Sequence, residues 1–302
     1  MMKIFFDNVN FESNSGPNNF AKKMASQIKE FDNDDLIVTS AENDINCQIS
    51  FIQTNLKLAP NILRLDGIYF NSEQSWKEMN EPIKNSYESS DAIVYQSEFN
   101  KFLIEKYFGL HDNSYVIHNA TRIDWIDSIS PLKHKDLDKF EKIWCCASSW
   151  RPHKRLKENI NFFLEHAPDN SCLVIAGSNP DHVINDPRIF YVGNLNWSDL
   201  ISLYKRSETF LHLAYLDHCP NVVIDARASG CNIVCSNTGG TKEIAGKSAI
   251  IIEEEEWNFE PIKLYKPPKM DFTKKISCGL ESEIDIKVCA LKYYKILKDI
   301  SK

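Results

Sequence analysis

Apolar residues fall in short runs over 3–6, 36–39, 47–52, 62–65, 92–95 and 115–118, the pattern of buried strands bounded by polar turns. Between them, 19–30, 75–89 and 98–107 repeat apolar positions at three- and four-residue spacing, which predicts helices. Such alternation predicts an α/β fold with a doubly wound, mostly parallel sheet. From 124 to 141 the pattern lapses into Pro131 and mixed charges, so this stretch reads as a connector, with a domain boundary near Phe140. The alternation restarts with strands at 143–147, 172–176, 189–192, 209–213, 232–235 and 249–252, predicting a second doubly wound sheet. Three prolines make 261–272 an extended excursion, and 281–300 is helical in period and rich in lysine. The expected organisation is a Rossmann-like domain over 1–140, a second over 141–275, a cleft between them, and a C-terminal helix within 276–302 packing back toward the first domain across the junction.

The length of 302 residues suits two domains of roughly 140 residues each. A net charge of −7 argues against nucleic acid as a partner and gives membrane association no support. The nine cysteines include adjacent Cys145 and Cys146 in an apolar run and show no paired zinc spacing, so reduced, buried thiols are expected. An acidic residue at position 7 comes too early for a secretory leader and no apolar run reaches membrane-spanning length, which together predict a cytoplasmic protein. The run Glu253 to Glu256 reads as a solvated loop rather than a metal site. Oligomeric state is not legible.

In open parallel sheets, ligands sit beyond the carboxyl ends of the strands, so three loops matter most. The first, after 143–147, brings Arg151, Lys154 and Arg155 to a helix start, where cations are unfavourable unless an anion joins them. Arg151 suits bidentate binding of phosphate oxygens, and Lys154 adds a point charge. The second, after 209–213, holds Asp217 and leads into a helix for which Pro220 suits the first position, followed by Asn221, Val222 and Asp225. Asp225 lies among apolar neighbours and needs a partner, either a ribose diol, backbone, or a nearby cation such as Arg227. Asp217 reads as a ligand carboxylate or as a helix cap. The third carries Gly239, Gly240 and Thr241, whose glycines let backbone approach a diphosphate closely.

Asp217, seven spacers, Asp225 and the turn Ser229-Gly230 resemble the second-domain signature of the retaining GT-B glycosyltransferases of family-4 type, also described as glycosyl transferases group 1. Arg151-Pro152-His153-Lys154 is similar to that family's basic loop, and Thr238-Gly239-Gly240-Thr241 with Glu243 to its diphosphate loop. Arg64 to Gly67, Ser90 to Ser97 and Val116 to Ala120 resemble first-domain segments. The resemblance implies a metal-independent, retaining hexosyltransferase that moves a sugar from a nucleotide-diphosphate sugar to a hydroxyl of a glycan or glycan precursor, with no cofactor. It further implies that Arg151 and Lys154 hold the diphosphate, that Asp217 faces the donor sugar and that Asp225 binds the ribose. Asn221, Val222, Gly239, Gly240 and Thr241 would line the donor pocket, and Gly193, Asn194 and Leu195 would border the base. On the acceptor side it points to Gly16 and Asn119, with Asp66 standing nearest to the family's first-domain histidine. Both acidic positions are Asp where the family has Glu, and Asn119-Ala120 stands where Asn-Gly is common. The competing reading is a catalytically degenerate module that keeps the two-domain shell. A dehydrogenase is disfavoured because Asp7-Asn8-Val9-Asn10 replaces a glycine-rich turn after the first strand.

Overall fold

The computed structural model describes residues 2–13, 15–277 and 279–302. It divides into two compact units: the first comprises Met1–Arg122, Phe259–Ile262 and Glu283–Lys302, the second Ile123–Asn258 and Lys263–Ser282.

In chain order the first unit contains β1 (Lys3–Asp7), α1 (Gly16–Phe31), β2 (Leu36–Val38), β3 (Cys47–Phe51), β4 (Asn61–Leu65), α2 (Trp76–Ser89), β5 (Ala92–Tyr95), α3 (Glu98–Phe108) and β6 (Ser114–Val116). Its strands form one parallel sheet in the order β2-β1-β3-β4-β5-β6. β3, β4 and β5 are buried along their whole length, but only β5 is a continuous apolar run, since Gln48 and Ser50 on β3 and Asn61 and Arg64 on β4 are buried polar positions. On α1, Phe20, Ala21, Met24, Ala25 and Ile28 recur at helical spacing and bury one face against the sheet.

The second unit contains α4 (Ile123–Ser128), β7 (Lys142–Ser149), α5 (Leu156–His166), β8 (Ser171–Ser178), β9 (Ile189–Gly193), α6 (Trp197–Arg206), β10 (Thr209–His212), α7 (Asn221–Ala228), β11 (Asn232–Ser236), α8 (Thr241–Ile244), β12 (Ile250–Ile252) and β13 (Lys275–Ser277). The sheet order is β13-β12-β11-β10-β7-β8-β9, parallel except for β13, which pairs antiparallel with β12 at the edge. Trp144, Phe162, Phe163, Leu211 and Val234 anchor its core. The strand order reverses between β7 and β10, the switch point at which open α/β sheets bind ligands.

The last helix, α9 (Ile286–Ile300), joins the first unit. Its residues Ile286, Cys289, Ala290, Tyr293, Tyr294, Ile296 and Leu297 enter the same core as α1, and the Tyr294 hydroxyl donates to Asp35 Oδ2 at 2.5 Å. It begins five residues later than its periodicity suggests, because Asp285 caps it by accepting from the Lys287 amide at 2.9 Å.

Three local expectations are corrected. The stretch 124–141 is not wholly a connector, since it opens in α4, where Trp125 stacks on Trp197 of α6 with ring centroids 3.8 Å apart. That contact, with the Lys205 ammonium donating to the Ile126 carbonyl at 2.8 Å, attaches α4 to the second unit and moves the division from Phe140 to Arg122. β13 was absent from the reading because three residues after a proline-rich stretch carry no period. Pro220 is the N-cap of α7 rather than its first residue. Among the described residues, no helix is long and apolar enough to cross a membrane. The eight described cysteines are buried and form no disulfide among themselves, and burial pushes the Cys47, Cys235 and Cys289 thiols up to about 12.

Because Leu297 is fully buried among α1 and the first sheet, Leu297→Ala is expected to cost about 2–5 kcal/mol, visible as a lowered urea midpoint. An unchanged midpoint would show that α9 does not contribute to that core.

Candidate functional site

The loops after β7 and β10 meet at the switch point of the second sheet through one salt bridge. Lys154 lies in a 3₁₀ turn, Pro152–Lys154, and its Nζ is 2.6 Å from Asp217 Oδ2. The Nε2 of His212, the last residue of β10, stands 2.9 Å from the same oxygen. Burial alone would raise the Asp217 carboxyl, but Lys154 and the His212 hydrogen bond outweigh it and hold the group well below the usual carboxylate range. Burial lowers His212, so a neutral imidazole donates Nε2–H to Asp217. His212 was missed in the sequence because a single histidine closing an apolar strand carries no signal.

The third loop is tied to the second by backbone. Gly239 forms a parallel bridge with Asp217, and the Gly240 amide donates to the Asp217 carbonyl at 2.8 Å. A Cβ on Gly239, whose φ is +81°, would collide with that carbonyl, so the position requires glycine on two counts. Leu216 takes a φ of +55°, a left-handed conformation that turns the chain just before Asp217. The expected role of the glycine amides narrows accordingly, since that of Gly240 is engaged with Asp217. Thr241, at the start of α8, is almost fully buried and its Oγ1 has no partner among the described residues. The same holds for Nδ1 of His153 beside Lys154.

Arg155 and the carboxylate run depart from expectation together. Arg155 is 2 % exposed and makes a bidentate pair with Glu254, at 2.8 and 2.7 Å, and also donates to the Pro268 carbonyl at 2.8 Å. Glu254 further accepts from the hydroxyls of Ser236 and Thr238. Arg155 is therefore a scaffold residue rather than part of an open basic loop, and Glu254 is buried while Glu253, Glu255 and Glu256 remain exposed. Arg151 is exposed.

Asp225, 5 % exposed on α7, accepts from Trp197 Nε1 at 3.0 Å. Arg227 is not its partner: that guanidinium binds Ile244, Glu281 and Ser282. Asn221 and Val222 are half-buried in the first turn of α7. Gly193 and Asn194 are exposed after β9, with Gly193 at a φ of +68°, and Leu195 is half-buried. Among the described residues, no group of three or more His, Cys, Asp or Glu is placed to hold a metal ion.

In the first unit, Asp66 and Asn119 come together around Arg64. Its guanidinium binds Asp66 Oδ1 and, at 2.6 Å, Asn119 Oδ1, and lies over the ring of Phe20 at 4.2 Å. Gln96 closes the group, donating to Asp66 and accepting from Asn119 Nδ2 at 3.1 Å. Burial pushes the Asp66 carboxyl up, with Arg64 pulling the other way. These four residues follow or end β4, β5 and β6. Gly16 opens α1.

Residues 132–258 match the family model described as glycosyl transferases group 1. No curated protein matches the sequence. Among solved structures, the chain is similar to HepE from Anabaena in complex with UDP and glucose, at 12 % identity and a TM-score of 0.68, covering 99 % of this chain and 100 % of that one. It is also similar to a sucrose-phosphate synthase from Thermosynechococcus elongatus, at 10 % identity, a TM-score of 0.66 and 99 % coverage of both chains. A glycosyltransferase from Rickettsia africae ESF-5 gives 16 % identity and a TM-score of 0.62, covering 100 % of this chain and 99 % of that one. At such identities the likeness establishes the fold, which is GT-B.

The buried imidazoles near the Lys154–Asp217 pair make stability pH-dependent. Burial lowers His153 to about 3 and His218 to about 4, and lowers His212 as well, against roughly 6.5 in an unfolded chain. Below 6.5 the unfolded chain binds protons that the folded chain refuses, so stability falls as pH drops from about 6.5 toward 4, by up to about 1.4 kcal/mol per pH unit for each histidine. The depressed Asp217 adds a further loss only below its unfolded value near 3.8. Urea titrations between pH 7 and 4.5 should show this decline, and a flat profile would mean that these imidazoles charge within the fold.

Proposed function

Because residues 132–258 form a glycosyl transferases group 1 domain on a GT-B fold, we propose that this protein is a metal-independent, retaining glycosyltransferase that moves a hexose from a nucleotide-diphosphate sugar to a hydroxyl of a glycan or glycan precursor. The observation that carries the reading is the Lys154–Asp217–His212 cluster at the sheet's switch point, with Gly239 packed on the Asp217 backbone. It sets a cation and a fixed carboxylate side by side, as a leaving diphosphate and a neutral sugar hydroxyl require. The UDP and glucose in the HepE structure of the same fold support a nucleotide sugar as donor.

In the reaction, the bond between the anomeric carbon and the β-phosphate oxygen breaks, and the electron pair leaves with the nucleoside diphosphate. Lys154 and Arg151 neutralise that charge as it develops. The acceptor oxygen bonds to the anomeric carbon from the same face, and its proton passes to the departing phosphate oxygen, so no protein nucleophile is needed. Asp217, kept ionised by Lys154 and oriented by neutral His212, accepts from a hydroxyl of the donor sugar. Asp225 accepts from the ribose, and Gly193 to Leu195, Asn221, Val222, Gly239, Gly240 and Thr241 surround the nucleotide and diphosphate. On the other unit, Asp66, fixed by Arg64 and Gln96, serves the acceptor side with Asn119 and Gly16.

Nucleoside diphosphate release from a panel of UDP- and GDP-sugars tests the proposal. Turnover with one donor is expected, and Lys154→Ala should lower kcat by about 10²–10³. Release from no donor by folded protein would leave only the degenerate-module reading. Activity should also survive EDTA and gain nothing from added manganese, and NMR of the product should show the donor's anomeric configuration. Loss on chelation would refute metal independence, and an inverted anomer would refute retention.

A further inference from the structure

We infer that Trp197 is the residue that orients the ribose-reading carboxylate of Asp225, and that Trp125 holds Trp197 in the required plane. The inference rests on the proposed role of Asp225. Trp197 opens α6 and its Nε1 donates to Asp225 Oδ2 at 3.0 Å. An indole N–H only donates and does not titrate in the working range, so this bond sets the carboxylate in one sense at every relevant pH. A carboxylate has about four acceptor positions, and a vicinal diol takes two of them. A fixed donor on Oδ2 therefore occupies one of these positions and biases which of the others face a ribose.

The hold on Trp197 is itself built. Its ring stacks on Trp125 with centroids 3.8 Å apart and planes 14° from parallel. Trp125 sits on the short helix α4, whose Ile126 and Asp127 carbonyls accept from Lys205 Nζ of α6 at 2.8 and 3.0 Å. Lys205 lies at the C-terminal end of α6 and Trp197 at its start, so α4 is fastened along the helix that presents the indole. The Asn196 side chain caps α6 by accepting from the Asp199 amide at 2.9 Å, which fixes the turn carrying Trp197. Trp197 is thus a positioning residue that sets specificity for the sugar of the nucleotide.

The test compares the binding of UDP with that of 2′-deoxy-UDP by calorimetry, with the GDP pair run beside them, in the native chain, Trp197→Phe and Asp225→Asn. Trp197→Phe keeps an aromatic ring facing Trp125 and removes the N–H together with one ring of the indole. It should weaken ribonucleotide binding about tenfold and change the deoxy form less than twofold, so that the ribose preference collapses. The donor KM should rise while kcat at saturation stays near the native value. A ribose preference kept in Trp197→Phe but lost in Asp225→Asn overturns this inference and leaves the reading of Asp225 intact. A preference kept in Asp225→Asn overturns that reading itself. Should near-UV circular dichroism show Trp197→Phe misfolded, Trp125→Ala carries the test, since it leaves the N–H but frees the ring. A weakened preference in that variant supports the inference, and an undiminished one overturns it.

Discussion

The buried pair of Arg155 and Glu254 is the interaction on which the second unit's ligand loops depend. Arg155 reaches the Leu213 carbonyl after β10 and the Pro268 carbonyl, while Glu254, which follows β12, takes the hydroxyls of Ser236 and Thr238 at the end of β11. One guanidinium and one carboxylate thus join chain segments following four neighbouring strands. Two charges removed from water are tolerable only when each remaining donor and acceptor is met, and here the fork geometry meets most of them. Removal of either partner would strand the other charge, a cost of about 3–5 kcal/mol. The rigidity that results is what allows Lys154, one residue before Arg155, to be aimed at Asp217 without flexibility of its own loop.

That arrangement separates scaffold from chemistry within a few residues. Arg151 is exposed, Lys154 is partly buried on Asp217, and Arg155 is sealed inside. Three cations that look alike in the chain therefore have three different jobs, decided by how far each has been taken out of water. The two aspartates are similarly divided. Asp217 is flanked by a cation and an imidazole that favour its ionised form, whereas Asp225 accepts from the neutral N–H of Trp197.

The sheets were legible in the sequence because most strands are short, mainly apolar stretches flanked by polar turns, and Ala92–Tyr95 begins and ends where the pattern does. That the loops carrying Lys154, Asp217 and Gly239 follow strand ends was legible because the strands before them were, and the structure joins the three loops through Asp217. What escaped was pairing at long range: Trp197 lies 28 positions from Asp225 and Arg155 lies 99 from Glu254, distances over which no local period operates. Gln96 escaped as a support of Asp66 for a related reason, since the adjacent parallel strands β4 and β5 bring the two together only in the folded sheet, whereas Arg64 lies just two residues from Asp66. The edge strand β13 and the six-residue helix α4 are too short to carry a pattern, and both owe their form to neighbours.

The first unit is discontinuous: Phe259–Ile262 and Glu283–Lys302 return to it after the second unit has been traversed. During synthesis the β1–β6 segments leave the ribosome first, yet the apolar faces of β1, β3 and α1 have no α9 to cover them until the whole second unit has been made. The second unit, whose segments lie together in 123–282 apart from one short excursion, can complete its core while still tethered. The segments that α9 covers therefore stay without it for the time needed to translate some 180 further residues, at about 5–20 residues per second. Chain order thus makes the unit whose synthesis begins first the last to have all its segments.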